Sequence, residues 1–343
     1  MMRLPRFRYL APTTPQEVAE VLASEGPDAM VVAGGTDLLP NMKRRQQTPK
    51  TVVGLKGVTA LRESQNGSGL RLGAGLTLSE IGEDPRVRQH YGALHQAAVQ
   101  VASPHLRNMA TLGGNICLDT RCNYYDQNYE WRKSINFCMK KEGETCWVAP
   151  ASKRCLAVSS TDTAPALIAL GARVNLLAAR EERELPLEEL YQNDGIAYLT
   201  RRPHELLTRI ELPDATGWKS TYWKLRRRGS FDFPVLGVAA AVKFDAGGGV
   251  ADARIVLGAV ASSPIVVNEA AEMLIGKELT DGVIEEAAEK AGRKAKPMDN
   301  TDFVLHWRKR VAQSFVGYAL RELRGDDMSE TRWNTAKIRF GAQ

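Results

Sequence analysis

Outside one short stretch this chain has no cysteine. Its five, Cys117, Cys122, Cys138, Cys146 and Cys155, all fall between positions 117 and 155 of 343 residues. Histidine is as scarce. His90, His95, His105, His204 and His306 are scattered without metal-ligand spacing and read as surface or packing residues. No apolar run approaches the ~20 residues that span a bilayer, and the basic start Met1-Met2-Arg3-Leu4-Pro5-Arg6-Phe7-Arg8 leads into no apolar signal core. A cytoplasmic location without a membrane partner is therefore expected, where clustered thiols hold metals more often than they form disulfides. No internal repeat, low-complexity tract, Ser/His/Asp set or paired carboxylates stand out, so no catalytic residue is assigned. The net charge of +6 is modest. Lys43-Arg44-Arg45 and Arg226-Arg227-Arg228 come with no nucleic-acid motif, and read as solvated surface or as partners of an anionic cofactor or an acidic subunit.

What is present is concentrated. Cys122, Cys138, Cys146 and Cys155 lie within 34 residues, just beyond Thr111-Leu112-Gly113-Gly114-Asn115. Thiolates are soft donors, and four of them complete the shell of one metal centre. Zinc ligands usually come as close pairs, whereas here 15, 7 and 8 residues intervene. That disfavours a zinc ribbon without selecting iron and sulfur, and zinc, unligated thiols or disulfides stay open. Tyr124, Tyr125, Tyr129, Trp131, Phe137 and Trp147 crowd the same stretch, either as a shield against water or as a small core of their own.

Two glycine segments, Val31-Val32-Ala33-Gly34-Gly35-Thr36-Asp37 and Ala110-Thr111-Leu112-Gly113-Gly114-Asn115, set glycines after apolar residues. There backbone N–H groups turn toward an anion with no Cβ in the way, and the threonine hydroxyls and the Asn115 amide add neutral donors. Neither segment is a G-x-G-x-x-G fingerprint or a P-loop. One Gly-Gly-Thr alone reads as a turn; two in different units suggest a diphosphate. A metal centre beside a nucleotide suggests electron transfer.

The length implies two or three domains. Residues 1–55 read as helix, strand, loop, helix and strand, opened by Thr13-Thr14-Pro15 with Val18, Val21 and Leu22 as its apolar stripe and closed by Val52 to Leu55. Residues 56–216 read as a second unit: a strand through Leu70, Leu72 and Ala74, a short helix at Ser79-Glu80-Ile81, and a helix marked by Tyr91, Leu94, Ala98 and Val101. The cysteine stretch at about 118–159 interrupts it, before a helix Ala164 to Leu170 and strands at Val174 to Leu177 and Leu206 to Leu212. Residues 217–325 read as strands Ser220 to Arg226, Gly237 to Phe244 and Ala253 to Val260. Helices follow at Glu269 to Ile275 (capped by Asn268), Gly282 to Lys294 and Asp302 to Leu323, the last with Trp307, Val311, Phe315 and Tyr318 inward. Residues 326–343 form a polar tail, ordered only against a partner.

Ala33-Gly34-Gly35-Thr36-Asp37-Leu38 and Arg107-Asn108-Met109-Ala110-Thr111-Leu112-Gly113-Gly114-Asn115-Ile116 resemble the two FAD-binding motifs of molybdenum hydroxylase (xanthine dehydrogenase family) medium subunits. Thr161-Asp162-Thr163-Ala164-Pro165-Ala166-Leu167, Glu205-Leu206-Leu207 and Tyr222-Trp223-Lys224-Leu225-Arg226 resemble later segments of that family, and the likeness runs from about Phe7 to Leu323. It implies an α+β fold: two subdomains clasping FAD, of the p-cresol methylhydroxylase/vanillyl-alcohol oxidase type, then a C-terminal domain of small antiparallel sheet and helices. The FAD contacts it implies are Val31, Val32, Ala33, Gly34, Gly35, Thr36, Asp37, Leu38, Ala102, Ala110, Thr111, Gly113, Gly114, Asn115, Thr161, Asp162, Leu207 and Lys224. For Asp162 a helix N-cap, and for Lys224 an exposed strand position, are the plainer readings.

The insertion from Cys117 to Ser160 resembles the β subunits of 4-hydroxybenzoyl-CoA reductases, which carry a [4Fe–4S] loop there. On that likeness Cys122, Cys138, Cys146 and Cys155 are the ligands, and Cys117, inside the flavin motif, is not. The implied activity is electron transfer within a molybdenum-containing aromatic acyl-CoA reductase with ferredoxin as donor. The implied partners are a small [2Fe–2S] subunit and a large molybdopterin subunit, in a dimer of heterotrimers. Alternatives are the FAD subunit of a molybdenum hydroxylase oxidising an aldehyde or N-heterocycle, and a non-redox assembly scaffold.

Overall fold

The computed structural model describes residues 3–301 and 303–336. Three sheets follow one another along the chain. The first joins β1 (Arg8–Leu10), β2 (Ala29–Val32) and β3 (Thr51–Gly54) in parallel, in the order β1-β3-β2. Parallel neighbours need a crossover. Pro15–Glu25 supplies the first one, started by a capping box in which the Thr14 side chain and Glu17 satisfy each other's backbone N–H. Val18, Ala19 and Leu22 bury its inner face.

The second sheet is antiparallel, β4 (Ser64–Asn66), β5 (Leu70–Gly73), β6 (Arg173–Leu177), β7 (Glu182–Pro186) and β8 (Leu206–Leu212), in the order β4-β5-β8-β6-β7. Helices Gly92–Gln100 and Thr163–Ala169 pack with it in one core that includes Leu72, Leu94, Leu167 and Ile210. The third is antiparallel too: β9 (Trp218–Leu225), β10 (Leu236–Phe244), β11 (Val250–Gly258) and β12 (Ile265–Val266), in the order β12-β11-β10-β9.

The third sheet is buried on both faces, and β10 shows how. Side chains alternate across a strand, so Ala239 and Ala241 enter the core of the second unit, while Val238, Ala240 and Val242 enter a separate core. Helices Asp281–Lys294 and Leu305–Arg324 cover that second face. The same alternation on β9 points Tyr222 toward the second unit and Trp223 toward the C-terminal helices.

Three expectations are corrected. The long helix buries Arg308, Ala312, Phe315, Val316, Ala319, Leu320 and Leu323, whereas Trp307, Val311 and Tyr318 lie at its edge. Its face is turned because Arg308 is fully buried, its guanidinium donating to the carbonyls of Val235, Ala259 and Met298; Asp302, expected as its start, lies outside the described residues. Asn268 is the first residue of helix Asn268–Glu272 and not its cap, since Val267 is buried at the cap with its N–H on the Ile255 carbonyl. The tail is not structureless without a partner: Ser329–Ala336 is helical and docks on its own chain, and residues 337–343 lie outside the described part. Among the described residues no helix is long and apolar enough to cross a membrane.

Candidate cofactor sites

A cleft of about 1000 Å³ opens between the first two units. Val31 through Leu38 line one wall; Ala102, Ala110, Thr111, Gly113, Gly114 and Asn115 line another, with Asp162 and Leu207 beyond. The two glycine segments touch. A Cβ on Gly34 would sit 1.8 Å from the Met109 carbonyl oxygen, and one on Gly113 would sit 2.7 Å from the Ala74 Cβ. Gly35 has φ +71°, a conformation other residues adopt at a cost. The N–H groups of Gly34, Gly35 and Thr36 donate to no acceptor among the described residues. Free N–H groups in a concave turn are what an anionic diphosphate needs. Ala102 holds φ +43° on the cleft wall, strain of the kind that gathers at binding sites.

Not every expected contact reaches the cleft directly. Thr111 Oγ accepts from the Gly114 N–H as the cap of helix Leu112–Ile116. Asn115 Oδ1 is taken by the Thr161 and Thr163 hydroxyls at 2.8 and 2.7 Å and by the Thr163 N–H, so it fastens one segment to the other. Thr161 itself is buried behind the wall. Asp162 stands at the cap position of Thr163–Ala169 yet caps nothing. Its carboxylate accepts from Tyr222 Oη and Lys224 Nζ, both at 2.8 Å. Lys224, buried rather than an exposed strand residue, also donates to the Gln100 carbonyl and meets the cleft only through Asp162. Burial pushes its ammonium down and pushes the Tyr222 hydroxyl up, while Asp162 draws the Lys224 ammonium back up.

Sequence reasoning missed Arg121. Its buried guanidinium pairs with Asp37, donates to Asn41 Oδ1 at 3.2 Å and lies 4.7 Å from the Phe233 ring centre. It thereby ties the first glycine segment to the residue before Cys122. Arg227, Arg228, Phe231 and Phe233 also edge the cleft, which absorbs the basic run into the site.

The four cysteines come together. Cys122, Cys138, Cys146 and Cys155 are all buried and line one small cavity of about 10 Å³ with Tyr124, Tyr125, Lys140 and Trp147. Tyr129, Trp131 and Phe137 pack outside it, Tyr129 against Phe137 and Trp131 against Tyr124. The loop that carries Cys138 is contorted, with Asn136, Phe137 and Glu142 all at positive φ. Gly143 fits because a Cβ there would fall 2.8 Å from the Cys138 nitrogen. Gly195 gives Cys155 its room, since a Cβ would meet its Sγ at 2.7 Å. Burial pushes the Cys122 thiol up to about 12 and the Cys155 thiol up to about 11. Such thiols stay protonated and inert unless a metal supplies the positive charge. Among the described residues no three His, Cys, Asp or Glu side chains are set for a single metal ion. Cys117 lines the cleft and not this cavity, whereas Cys122 lines both.

Comparison with known proteins bears on the flavin cleft. Residues 5–215 match the family described as FAD binding domain in molybdopterin dehydrogenase, and residues 220–323 match the CO dehydrogenase flavoprotein C-terminal domain. The aldehyde oxidoreductase FAD-binding subunit PaoB of Escherichia coli is 33% identical over 273 residues, 75% of this chain and 82% of that one. The nicotinate dehydrogenase FAD-subunit of Eubacterium barkeri is 29% identical, over 80% of this chain and 81% of that one. A solved carbon monoxide dehydrogenase from Hydrogenophaga pseudoflava superposes with a TM-score of 0.77 at 25% identity, covering 93% of this chain and 98% of that one. These relatives name aldehyde, nicotinate and carbon monoxide, not an aromatic acyl-CoA, so the narrower reductase identity is not shown. With paired glycine segments around an FAD-sized cleft and matches that run through both halves of the sequence, the chain belongs to the FAD-binding medium subunits of the molybdopterin dehydrogenases, which serve as parts of oxidoreductase complexes.

Proposed function

We propose that this chain is the electron-transfer subunit of a molybdenum hydroxylase that oxidises an aldehyde or an N-heterocycle, with FAD in the cleft and a [4Fe–4S] cluster on Cys122, Cys138, Cys146 and Cys155. The observation that carries it is Cys122: this residue lines the thiol cavity and the flavin cleft at once. Two redox groups held that way are neighbours. When bound, flavin couples one-electron carriers to two-electron chemistry. The chain's own residues bind, orient and shield. Gly34, Gly35 and Thr36 offer N–H groups to the diphosphate, Asp162 is locked by Tyr222 and Lys224, and Tyr124, Tyr125 and Trp147 exclude water from the thiols.

Four buried thiols around one cavity are a donor set that a [4Fe–4S] cluster takes, one thiolate to each iron, and the 15, 7 and 8 residues between them lack the close pair of a zinc site. Substrate class follows the relatives, since aldehyde and nicotinate enzymes are among those this chain is similar to. The substrate itself belongs on a large molybdopterin subunit, with [2Fe–2S] centres on a small one. Acyl-CoA reduction with ferredoxin as donor is the competing substrate reading, favoured by the likeness of the cysteine loop.

The test is the anaerobically purified complex. Four iron and four acid-labile sulfide beyond those of the small subunit are expected, with one FAD, and turnover with an aromatic aldehyde. Cys138→Ser with Cys146→Ser should remove those four iron and leave FAD in place. One zinc without extra sulfide would reject the cluster. Turnover of 4-hydroxybenzoyl-CoA but no aldehyde would move the substrate to the reductive reading.

A further inference from the structure

Lys140 and Asp119 form a buried ion pair, with side chains 5% and 7% exposed, that neither cofactor motif predicts. Lys140 belongs to the cysteine loop; Asp119 follows the second glycine segment. The three ammonium protons have three acceptors, Asp119 Oδ1 at 2.8 Å, Thr120 Oγ at 2.8 Å and the Gly195 carbonyl at 2.6 Å. The rings of Tyr125 and Tyr198 approach the ammonium at 5.0 and 5.5 Å, and Tyr125 Oη and Gln47 Nε2 donate to Asp119 Oδ2. The charge is fixed in place.

A buried ion pair is a poor source of stability, because desolvation offsets most of the attraction. Its orientation suggests what else it does. Lys140 lines the thiol cavity and not the flavin cleft; Asp119 lines the flavin cleft and not the thiol cavity. The positive end therefore faces the cysteines and the negative end faces the flavin site. Gly195, whose carbonyl accepts from Lys140, is the residue packed on Cys155, a Cβ there falling 2.7 Å from Sγ. In a site shielded from water such a fixed charge acts on any electron added nearby.

We propose that the Lys140–Asp119 pair is a fixed dipole that makes an added electron more stable on the cysteine side than on the flavin side, so that the potential of the cysteine-bound centre is raised relative to that of the flavin. Lys140 and Asp119 are positioning residues here, and the inference rests on the iron–sulfur reading above. Its consequence is directional: the pair favours delivery from the cleft outward, as an oxidative hydroxylase requires, over delivery inward.

Anaerobic redox titration of the complex, followed by electron paramagnetic resonance for the cluster and by absorbance for the flavin, tests it. Iron and sulfide are measured first. In Lys140→Gln the reduced-to-oxidised ratio of the cluster at a fixed potential should fall about tenfold, which for one electron is about 59 mV, with iron content unchanged. Lys140→Arg should restore most of it. Asp119→Asn should raise the flavin midpoint and leave the cluster no lower than in the native protein. A cluster midpoint unmoved in Lys140→Gln overturns the proposal while leaving the cluster reading intact. Should Lys140→Gln lose its iron, Asp119→Asn decides, and an unmoved flavin midpoint overturns the proposal. Absence of the extra iron and sulfide from the native complex removes the cluster reading and this inference with it.

Discussion

Gly34 is the tightest point of the flavin site. Its missing Cβ is what lets the first glycine segment press against the Met109 carbonyl, and a methyl group there has nowhere to go. Gly34→Ala should part the two segments and weaken flavin retention by about tenfold or more, a cost above roughly 1.4 kcal/mol. Flavin absorbance per polypeptide after gel filtration measures it, and full occupancy would show that the contact is dispensable. Residues of this kind were legible in the sequence because glycine has few reasons to recur in such a pattern. Asp162 was legible as important, but not its partners. The link to Tyr222 and Lys224 joins positions 60 and 62 residues apart, and no local pattern encodes it. Arg121 was invisible for the same cause: beside a cysteine it reads as surface, and only the fold shows it buried against Asp37.

Among the elements, the helix Ser329–Ala336 departs most from the sequence reading. Its composition is polar, so it reads as tail. Arg332 is a main anchor. Arg332 lies 4.0 Å from the Trp223 ring centre, donates through Nε to Glu322 Oε1 at 2.8 Å, and reaches Thr221 Oγ at 2.7 Å. An arginine stacked on an aromatic face and paired with a carboxylate is strongly anchored. Arg332→Ala should cost about 2 to 4 kcal/mol, because it leaves the partly buried Glu322 without its guanidinium. Urea denaturation followed by circular dichroism checks it; a midpoint unchanged from the native protein would mean the helix is only resting there. The helix Leu305–Arg324 makes the complementary point. A charged residue, Arg308, occupies the centre of its buried face, so a stripe drawn from apolar residues alone is turned to one side. The strands that were read came within two or three residues at their ends, while the edge strands Arg8–Leu10, Ser64–Asn66, Glu182–Pro186 and Ile265–Val266, short or largely polar, left no apolar alternation to read.

For the molecule as a whole, the placement of the cysteine loop matters more than its content. It begins after Arg121 and ends before Val158, and those two residues bond to each other twice, N–H to carbonyl in both directions, at 2.8 and 2.7 Å. The loop also carries its own small cluster of buried residues, Cys122, Tyr125, Cys138, Cys155 and Ala157, apart from the larger cores. Its polar contacts with the rest gather at Asp119, Thr120, Gly195, Asn300 and Gln46, with Asp126 paired to Arg44 and Arg121 at the edge. Entry and exit therefore meet in one isolated antiparallel pair, the geometry a two-residue hairpin closes by itself. Residues 122–157 can be regarded as a cartridge with two seams, at the flavin wall through Cys122 and at Asp119 through Lys140: snipping them out, sealing the gap with Asn-Gly and changing Asp119→Asn should leave a protein that still takes up flavin, read as absorbance per polypeptide, and holds no iron.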